Sequence, residues 1–389
     1  MHVYELLSVA MVLLLGLLGG KVFHRLKIPR VTGYMLVGLV IGPSVLGLIS
    51  YGTLKDIHMI NDIALGLILF AIGGEIELNH LKAMGKKVIF MALAESLGAF
   101  VLVSLVSFAI TGNFGLSVLL GAIGIATAPG VTLMVIREYS ARGPLTETLL
   151  AMVAINNVIC LIVFRIFFAG YSLAHGDALL PVLLDLSKEL VLSVIIGGAI
   201  AGMIAYWEQK IDDLSELLLV IVGGLLLGIG AAKTIGISYL MICLIIGAII
   251  NNISMMHRLI YAELRQTEMP FYIVFFVLSG ASLHLDVLWT LGPLGLAYLF
   301  IRPAGKALGS YIAGKKYGAE LKVRNNIGLG LLPQAGVAIG LAITVAEKNP
   351  ELGEIISAVI LSSVVIYESV GPLLTKIALG RAGEIHLQE

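Results

Sequence analysis

Ala126-Thr127-Ala128-Pro129-Gly130 and Leu332-Pro333-Gln334-Ala335-Gly336 decide how this chain folds, because each sets a proline inside an apolar run otherwise long enough to be one helix. Proline has no amide proton for the i to i−4 bond, so Pro129 leaves the carbonyl of Ile125 free and Pro333 that of Leu329. The neighbouring glycines, Gly130 and Gly336, ease unwinding further. The two segments are also equivalent to each other. At an offset of 205 to 206 residues, Gly124, Gly130 and Val131 fall on Gly330, Gly336 and Val337. At the same offset Phe70 and Gly74 fall on Phe276 and Gly280, and Tyr34, Leu39, Ile41 and Gly42 fall on Tyr239, Leu244, Ile246 and Gly247.

Around these segments the chain reads as a membrane protein. Of its 389 residues 59% are hydrophobic and 13% charged, with a mean hydropathy of +1.02, which no soluble core of this size could hide. The 25 basic and 25 acidic side chains cancel, so no overall positive field draws in nucleic acid. Cys160 and Cys243 lie in apolar runs and are too few for a disulfide framework or a zinc site. The hydropathy pattern predicts an all-α protein with thirteen transmembrane helices, over 4 to 22, 31 to 49, 61 to 79, 88 to 110, 114 to 136, 145 to 169, 182 to 206, 214 to 232, 238 to 252, 268 to 284, 287 to 311, 324 to 346 and 355 to 379. The first lacks a basic leader and is not read as a cleavable signal, and no soluble domain is expected after the last.

Lysine and arginine set the expected orientation. The N-terminus and the loops after even-numbered helices hold four, whereas the loops after odd-numbered helices and the C-terminus hold eighteen, a bias that places the N-terminus outside and the C-terminus in the cytoplasm. Three basic residues, Arg165, Arg302 and Lys306, fall within helices. Seven helices separate the two copies of the repeat, so the second copy enters the bilayer upside down. Inverted-topology repeats are the architecture of secondary transporters, whose binding sites form near the midplane from interrupted helices. The chain is therefore expected to comprise a first repeat over 1–181, a linker helix over 182–213 and a second repeat over 214–389, with broken helices five and twelve crossing.

The residues that carry these features resemble the monovalent cation:proton antiporter superfamily, in particular the branch of bacterial sodium/proton and potassium-efflux exchangers. The resemblance runs through Leu26-Lys27-Ile28-Pro29, Gly33-Tyr34-Met35-Leu36-Val37-Gly38-Leu39-Val40-Ile41-Gly42-Pro43, Gly73-Gly74-Glu75-Ile76-Glu77-Leu78, Ala126-Thr127-Ala128-Pro129 and Leu332-Pro333-Gln334-Ala335-Gly336-Val337. It implies a homodimer in an inner (plasma) membrane of a bacterium or archaeon. In it helices 4 to 6 and 11 to 13 form a moving core, and helices 1 to 3 and 8 to 10 a fixed scaffold, working by elevator-like alternating access. In that family a carboxylate in the sixth helix binds either the cation or a proton. The matching pair here is Asn156-Asn157, so asparagine stands where the family's acid is expected. Its carbonyl oxygen can ligate a cation, but it supplies no charge and does not titrate.

The remaining candidates follow from the cost of placing polar groups in a membrane. Arg302 matches the family's basic residue in helix eleven. Glu95 falls on Ile301 under the repeat offset, next to Arg302, so a buried Glu95–Arg302 ion pair is predicted, serving as a brace or in coupling. Glu368, near the middle of helix thirteen, is the candidate proton carrier or else a carboxyl hydrogen-bonded within the core or paired with Lys306 or Arg165. Thr127 and Gln334 offer oxygen ligands beside the breaks at Pro129, Gly130, Pro333 and Gly336, and Glu75 and Glu77 read mainly as solvated residues at the end of helix three. No metal-ligand spacing, phosphate loop or nucleophile–base arrangement is present, so neither an enzyme nor a cofactor is expected. Sodium or potassium exchange for protons is the first reading. An anion carrier or cation uniporter or channel of the same fold, and a transport-inactive sensor, are the alternatives.

Overall fold

The computed structural model describes residues 3–74, 85–174, 179–210, 214–283 and 292–386, and every regular element among them is helical. In chain order these are α1 (Val3–Arg25), α2 (Arg30–Ile41), α3 (Tyr51–Asp56), α4 (His58–Gly73), α5 (Lys86–Thr111), α6 (Phe114–Gly124), α7 (Pro129–Glu138), α8 (Pro144–Ala174) and α9 (Leu179–Trp207). After a 3-10 turn at Glu208–Lys210 follow α10 (Leu214–Ile235), α11 (Tyr239–Ile253), α12 (His257–Ala281), α13 (Gly292–Lys316), α14 (Leu321–Gly330), α15 (Gly336–Lys348) and α16 (Pro350–Ala382). Seven stretches among the described residues are long and apolar enough to cross a membrane, one of them Phe114–Glu138 with its interruption included. Leu14, Leu105 and Phe300 are each at least 60% exposed, as expected where hydrocarbon rather than water is the solvent.

The two interruptions fall where the prolines place them. Residues 125–128 separate α6 from α7, and 331–335 separate α14 from α15. Pro129 becomes the first residue of α7, where its missing N–H is no loss. Helix two, expected over 31 to 49, ends at Ile41, because Pro43 disfavours helical backbone at Gly42 and the chain turns there. Pro303 and Pro372, by contrast, lie within continuous helices. The carbonyl freed by Pro303, that of Leu299, accepts from Tyr367 Oη at 2.9 Å.

The chain forms two compact units, each discontinuous in sequence. The first comprises Met1–Leu18, Val37–Ala83 and Leu180–Ser282. Its helices meet backbone to backbone at glycines: a Cβ on Gly38 would lie 2.0 Å from the carbonyl oxygen of Val277, and one on Gly247 2.1 Å from that of Phe70. Asp62, 2% exposed, pairs with Lys233 and accepts from Tyr239 Oη. The second unit comprises Gly19–Leu36, Met84–Leu179 and Leu283–Glu389 and contains both interruptions. Here α5 and α13 run antiparallel in close contact. A Cβ on Gly305 would lie 2.6 Å from the carbonyl oxygen of Gly98, and one on Gly309 2.1 Å from that of Ala94. That approach brings polar residues of α5 and α13 level with the first interruption.

Candidate functional site

Where α6 stops, its last carbonyls have lost the amides of a following turn and form the partially negative end of a helix dipole. Almost all find donors from other elements. Arg302, wholly buried on α13, donates from Nε to the carbonyl of Gly124 at 2.9 Å and from Nη2 to that of Ala126 at 2.6 Å. Its Nη1 reaches the other interruption, donating to the carbonyl of Leu332 at 2.8 Å, and its guanidinium carbon sits 4.6 Å from the Tyr367 ring centroid. The amide of Ala128 donates directly to the carbonyl of Pro333 at 2.8 Å, and Thr132 Oγ1 to that of Gly330 at 3.2 Å. The two interruptions thus touch and are stitched together by one arginine.

Lys306, one helical turn beyond Arg302 and also wholly buried, completes the set. Its Nζ donates to Glu95 Oε1 at 2.5 Å, to the carbonyl of Ile125 at 2.8 Å and to Thr127 Oγ1 at 3.0 Å. The ammonium is thus held by a carboxylate, a backbone carbonyl and a hydroxyl, all oxygen atoms of the kind that hard cations take as ligands. The ion pair predicted between Glu95 and Arg302 is therefore corrected: the salt bridge joins Glu95 to Lys306. The repeat offset identifies positions equivalent by symmetry, not positions in contact. In the antiparallel α5–α13 pair contacts run at a constant sum of residue numbers, with Ala94 against Gly309 and Gly98 against Gly305, so Glu95 looks beyond Arg302 to the next turn.

Asn156 and Asn157 project from α8 into the same region. Asn156 Oδ1 accepts from Ser96 Oγ at 3.3 Å, and Ser96 Oγ lies equally far from Glu95 Oε2, which links the asparagine to the buried pair through one hydroxyl. Asn157 Nδ2 donates to the carbonyls of Thr127 and Val153 at 3.0 and 3.1 Å. This leaves Asn157 Oδ1 and Asn156 Nδ2 buried without a hydrogen-bond partner. Gln334 has its amide committed: Nε2 donates to the carbonyl of Ile123 at 3.0 Å, and the side chain bonds the hydroxyl of Tyr298. Glu368 on α16 is 1% exposed, and its Oε1 has no hydrogen-bond partner, so the alternative in which Lys306 satisfies it is replaced by the Lys306–Glu95 bridge. Glu75 and Glu77 lie outside the described residues.

Ser96, Tyr298 and Tyr367 are the participants that sequence reasoning left without a place in the site, and Lys306 entered it only as a possible partner of Glu368. For Lys306 a signal existed, since a lysine four residues after an intramembrane arginine shares its helix face. The tyrosines gave none, because an aromatic in an apolar helix is indistinguishable from core until its hydroxyl partner is seen.

A family profile described as "Sodium/hydrogen exchanger, transmembrane" matches residues 9–376. The ammonium/proton antiporter subunit AmhT of Alkalihalophilus pseudofirmus is 24% identical over 360 residues, covering 88% of this chain and 87% of its own. The sodium/proton–potassium antiporter GerN of Bacillus cereus is 24% identical over 387 residues and covers 96% of each chain. Among solved structures, the electron-microscopy structure of the sodium/proton antiporter MjNhaP1 of Methanocaldococcus jannaschii superposes over 100% of both chains with a TM-score of 0.78 at 20% identity, which shows the shared fold. A profile match over nearly the whole length decides membership: the chain belongs to the sodium/hydrogen exchanger family, an integral membrane transporter and monovalent cation:proton antiporter rather than an enzyme.

Proposed function

We propose that this antiporter exchanges sodium or potassium for protons at the oxygen cage around Lys306, with Asn156-Asn157 in place of the family's acidic motif. One observation carries the reading: the buried Lys306 ammonium occupies a set of oxygens, Glu95 Oε1, Ile125 O and Thr127 Oγ1, suited to a bare cation. In this scheme lysine is the resident cation. An incoming ion takes the Glu95 carboxylate and the freed carbonyl, Lys306 gives up a proton, and the exchange reverses on the other side. Asn157 Oδ1 adds a neutral ligand, and Glu368 is a second buried group able to carry a proton. The relatives are named for ammonium, sodium and potassium, so the choice among small monovalent cations rests on measurement.

The finer architecture belongs to the same proposal: thirteen spans, with α6–α7 as the fifth and α14–α15 as the twelfth, in two inverted repeats over 1–181 and 214–389 joined by a linker over 182–213. Repeat-related helix pairs packed through glycine support it. The helix pairs correspond: α2 meets α12 at Gly38 and Val277 as α11 meets α4 at Gly247 and Phe70, and α6 meets α5 at Gly121 and Phe100 as α14 meets α13 at Gly328 and Ala307. Elevator-like movement of a core against a scaffold, a homodimer, and an N-terminus outside with a cytoplasmic C-terminus complete it, the last supported by the distribution of lysine and arginine.

The anion-carrier alternative required Arg302 to face a solute. Its guanidinium is instead spent on three carbonyls, which disfavours that reading. The test is flux in proteoliposomes under an imposed pH gradient. Dissipation of the gradient by added sodium or potassium, abolished in Glu95→Gln, is expected. A current indifferent to pH would instead indicate a uniporter or channel, and silence towards all cations a transport-inactive chain.

A further inference from the structure

The first turn of α8 has an unusual source for its cap. Pro144 has no N–H, and the amide of Glu147 donates to the carbonyl of Gly143 at 3.0 Å, which leaves the amides of Leu145 and Thr146 without local acceptors. Both go to one carboxylate from the far end of the chain. Glu384 Oε1 accepts from the Leu145 amide at 2.7 Å, and Oε2 accepts from the amide and the hydroxyl of Thr146, each at 2.7 Å. The Glu384 carbonyl accepts from the Arg142 amide, and the His386 amide donates to the carbonyl of Tyr139, both at 3.1 Å. Glu384 is 5% exposed.

The surrounding backbone is built for this residue. α16 closes with Gly383 in the left-handed region at φ +75°, its amide on the carbonyl of Gly380 and the Glu384 amide on that of Leu379, a double bond pattern that turns the chain sharply back. Across the contact Gly143 stands at φ +147°, where a Cβ would lie 2.6 Å from Glu384 Cδ. Behind it Ile385 packs on a buried cluster that includes Leu145, Leu149, Met152 and Val153 of α8 and Ala378, Leu379 and Ala382 of α16.

We infer that Glu384 is a positioning residue for the exchange site: it fixes the axial register of α8 against α16, and so of Asn156-Asn157 against Glu368. Asn156 lies 11 residues past Leu145, about 16 Å along the helix, and an α-helix clamped at its end and packed along its side transmits that register. A local serine or aspartate cap would satisfy the same amides without tying α8 to the helix that carries Glu368. The inference rests on the reading that α8 and α16 carry exchange groups.

The experiment compares wild type, Glu384→Ala, Glu384→Gln and Gly143→Ala in the full chain, by sodium- and potassium-dependent flux and by backbone hydrogen–deuterium exchange over 145–157. Glu384→Ala is expected to raise the apparent KM for the cation on the order of tenfold, with a much smaller change in maximal rate. It should also speed exchange as far as Asn157. Glu384→Gln, which keeps one acceptor oxygen, should fall between, and Gly143→Ala should reproduce the alanine phenotype. Faster exchange confined to 145–148 with an unchanged KM would make Glu384 a local cap and overturn the inference. If the wild type moved no cation, the site assignment would fail by itself. The exchange data would then decide the clamp alone, through propagation to Asn157 or its absence. Should Glu384→Ala not fold, the comparison of Glu384→Gln with wild type carries the same two outcomes.

Discussion

Lys306 donates to the carbonyl oxygen of Ile125 at 2.8 Å, and Ile125 is the residue whose carbonyl Pro129 deprives of its helical donor. The break and the lysine are two halves of one device. The proline creates a strong acceptor at membrane depth, and the ammonium fills it, with Glu95 balancing the charge. In the proposed exchange an ion entering this cage would replace one cation by another and leave no empty carbonyl site, which would keep the desolvation cost of each state similar.

The buried pair should reveal itself as strong coupling. Removing one partner of a buried ion pair leaves an uncompensated charge, so Glu95→Gln and Lys306→Met should each destabilise the protein by about 3–5 kcal/mol. The double variant should be far less destabilised than their sum. Thermal unfolding in detergent checks this through a double-mutant cycle, with Glu95→Gln and Arg302→Met as the comparison. Coupling of Glu95 to Arg302 larger than to Lys306 would mean that the bridge is wrongly assigned.

Glu368→Gln separates stability from exchange. The carboxyl is buried with Oε1 lacking a hydrogen-bond partner, so its neutral amide isostere should leave thermal stability within about 1 kcal/mol of wild type or raise it. Cation-driven proton flux should fall by an order of magnitude or more if Glu368 passes protons, a loss on the scale seen when a proton-transfer group is removed. Full flux in a stable Glu368→Gln protein assigns proton movement to the Glu95–Lys306 pair alone.

Much of this was legible from residue types. Proline removes a helical hydrogen bond, and the repeat equivalence singled out Pro129 and Pro333 from Pro303 and Pro372, which lie in continuous helices, so both interruptions could be placed to within a turn. Glu95 and Arg302 stood out through the expense of charge in an apolar span, and Asn156-Asn157 through the resemblance to the family's acidic motif. The pairing was not legible, because the internal repeat reports symmetry while the Gly98–Gly305 and Ala94–Gly309 contacts that set the register of α5 on α13 depend on backbone approach. Nor was the capping of α8 by Glu384, since a contact between residues 239 apart in sequence leaves no local pattern.

The α5–α13 contact should not tolerate a methyl group. An added Cβ at Gly309 meets the carbonyl oxygen of Ala94 at 2.1 Å, and neither backbone can give way without shifting a helix. Gly309→Ala should cost about 1–3 kcal/mol and displace Lys306 from Glu95. Gly340→Ala on α15, where no atom lies within 4 Å of the new Cβ, should instead be neutral or stabilise by about 0.5–1 kcal/mol through helix propensity. Melting temperatures of the two variants give the comparison, and equal effects would argue against the close approach.

Asn157→Asp tests the proposed replacement of the family's acid most directly. Asn157 Nδ2 now donates to the carbonyls of Thr127 and Val153 at 3.0 and 3.1 Å, and an aspartate turns those two bonds into contacts between acceptors. In buffer free of small cations the variant should therefore be less stable than wild type by about 1–3 kcal/mol. A cation bound between the carboxylate and the Thr127 carbonyl relieves that repulsion, so sodium or potassium should raise the melting temperature of the variant more than that of wild type. At 100 times the dissociation constant the gain is about 2.7 kcal/mol. The same substitution places a titratable group beside the Lys306 cage, and cation-dependent proton movement in proteoliposomes should appear or strengthen. A variant destabilised equally with and without cation, and no better at moving protons, would place the ion away from Asn157.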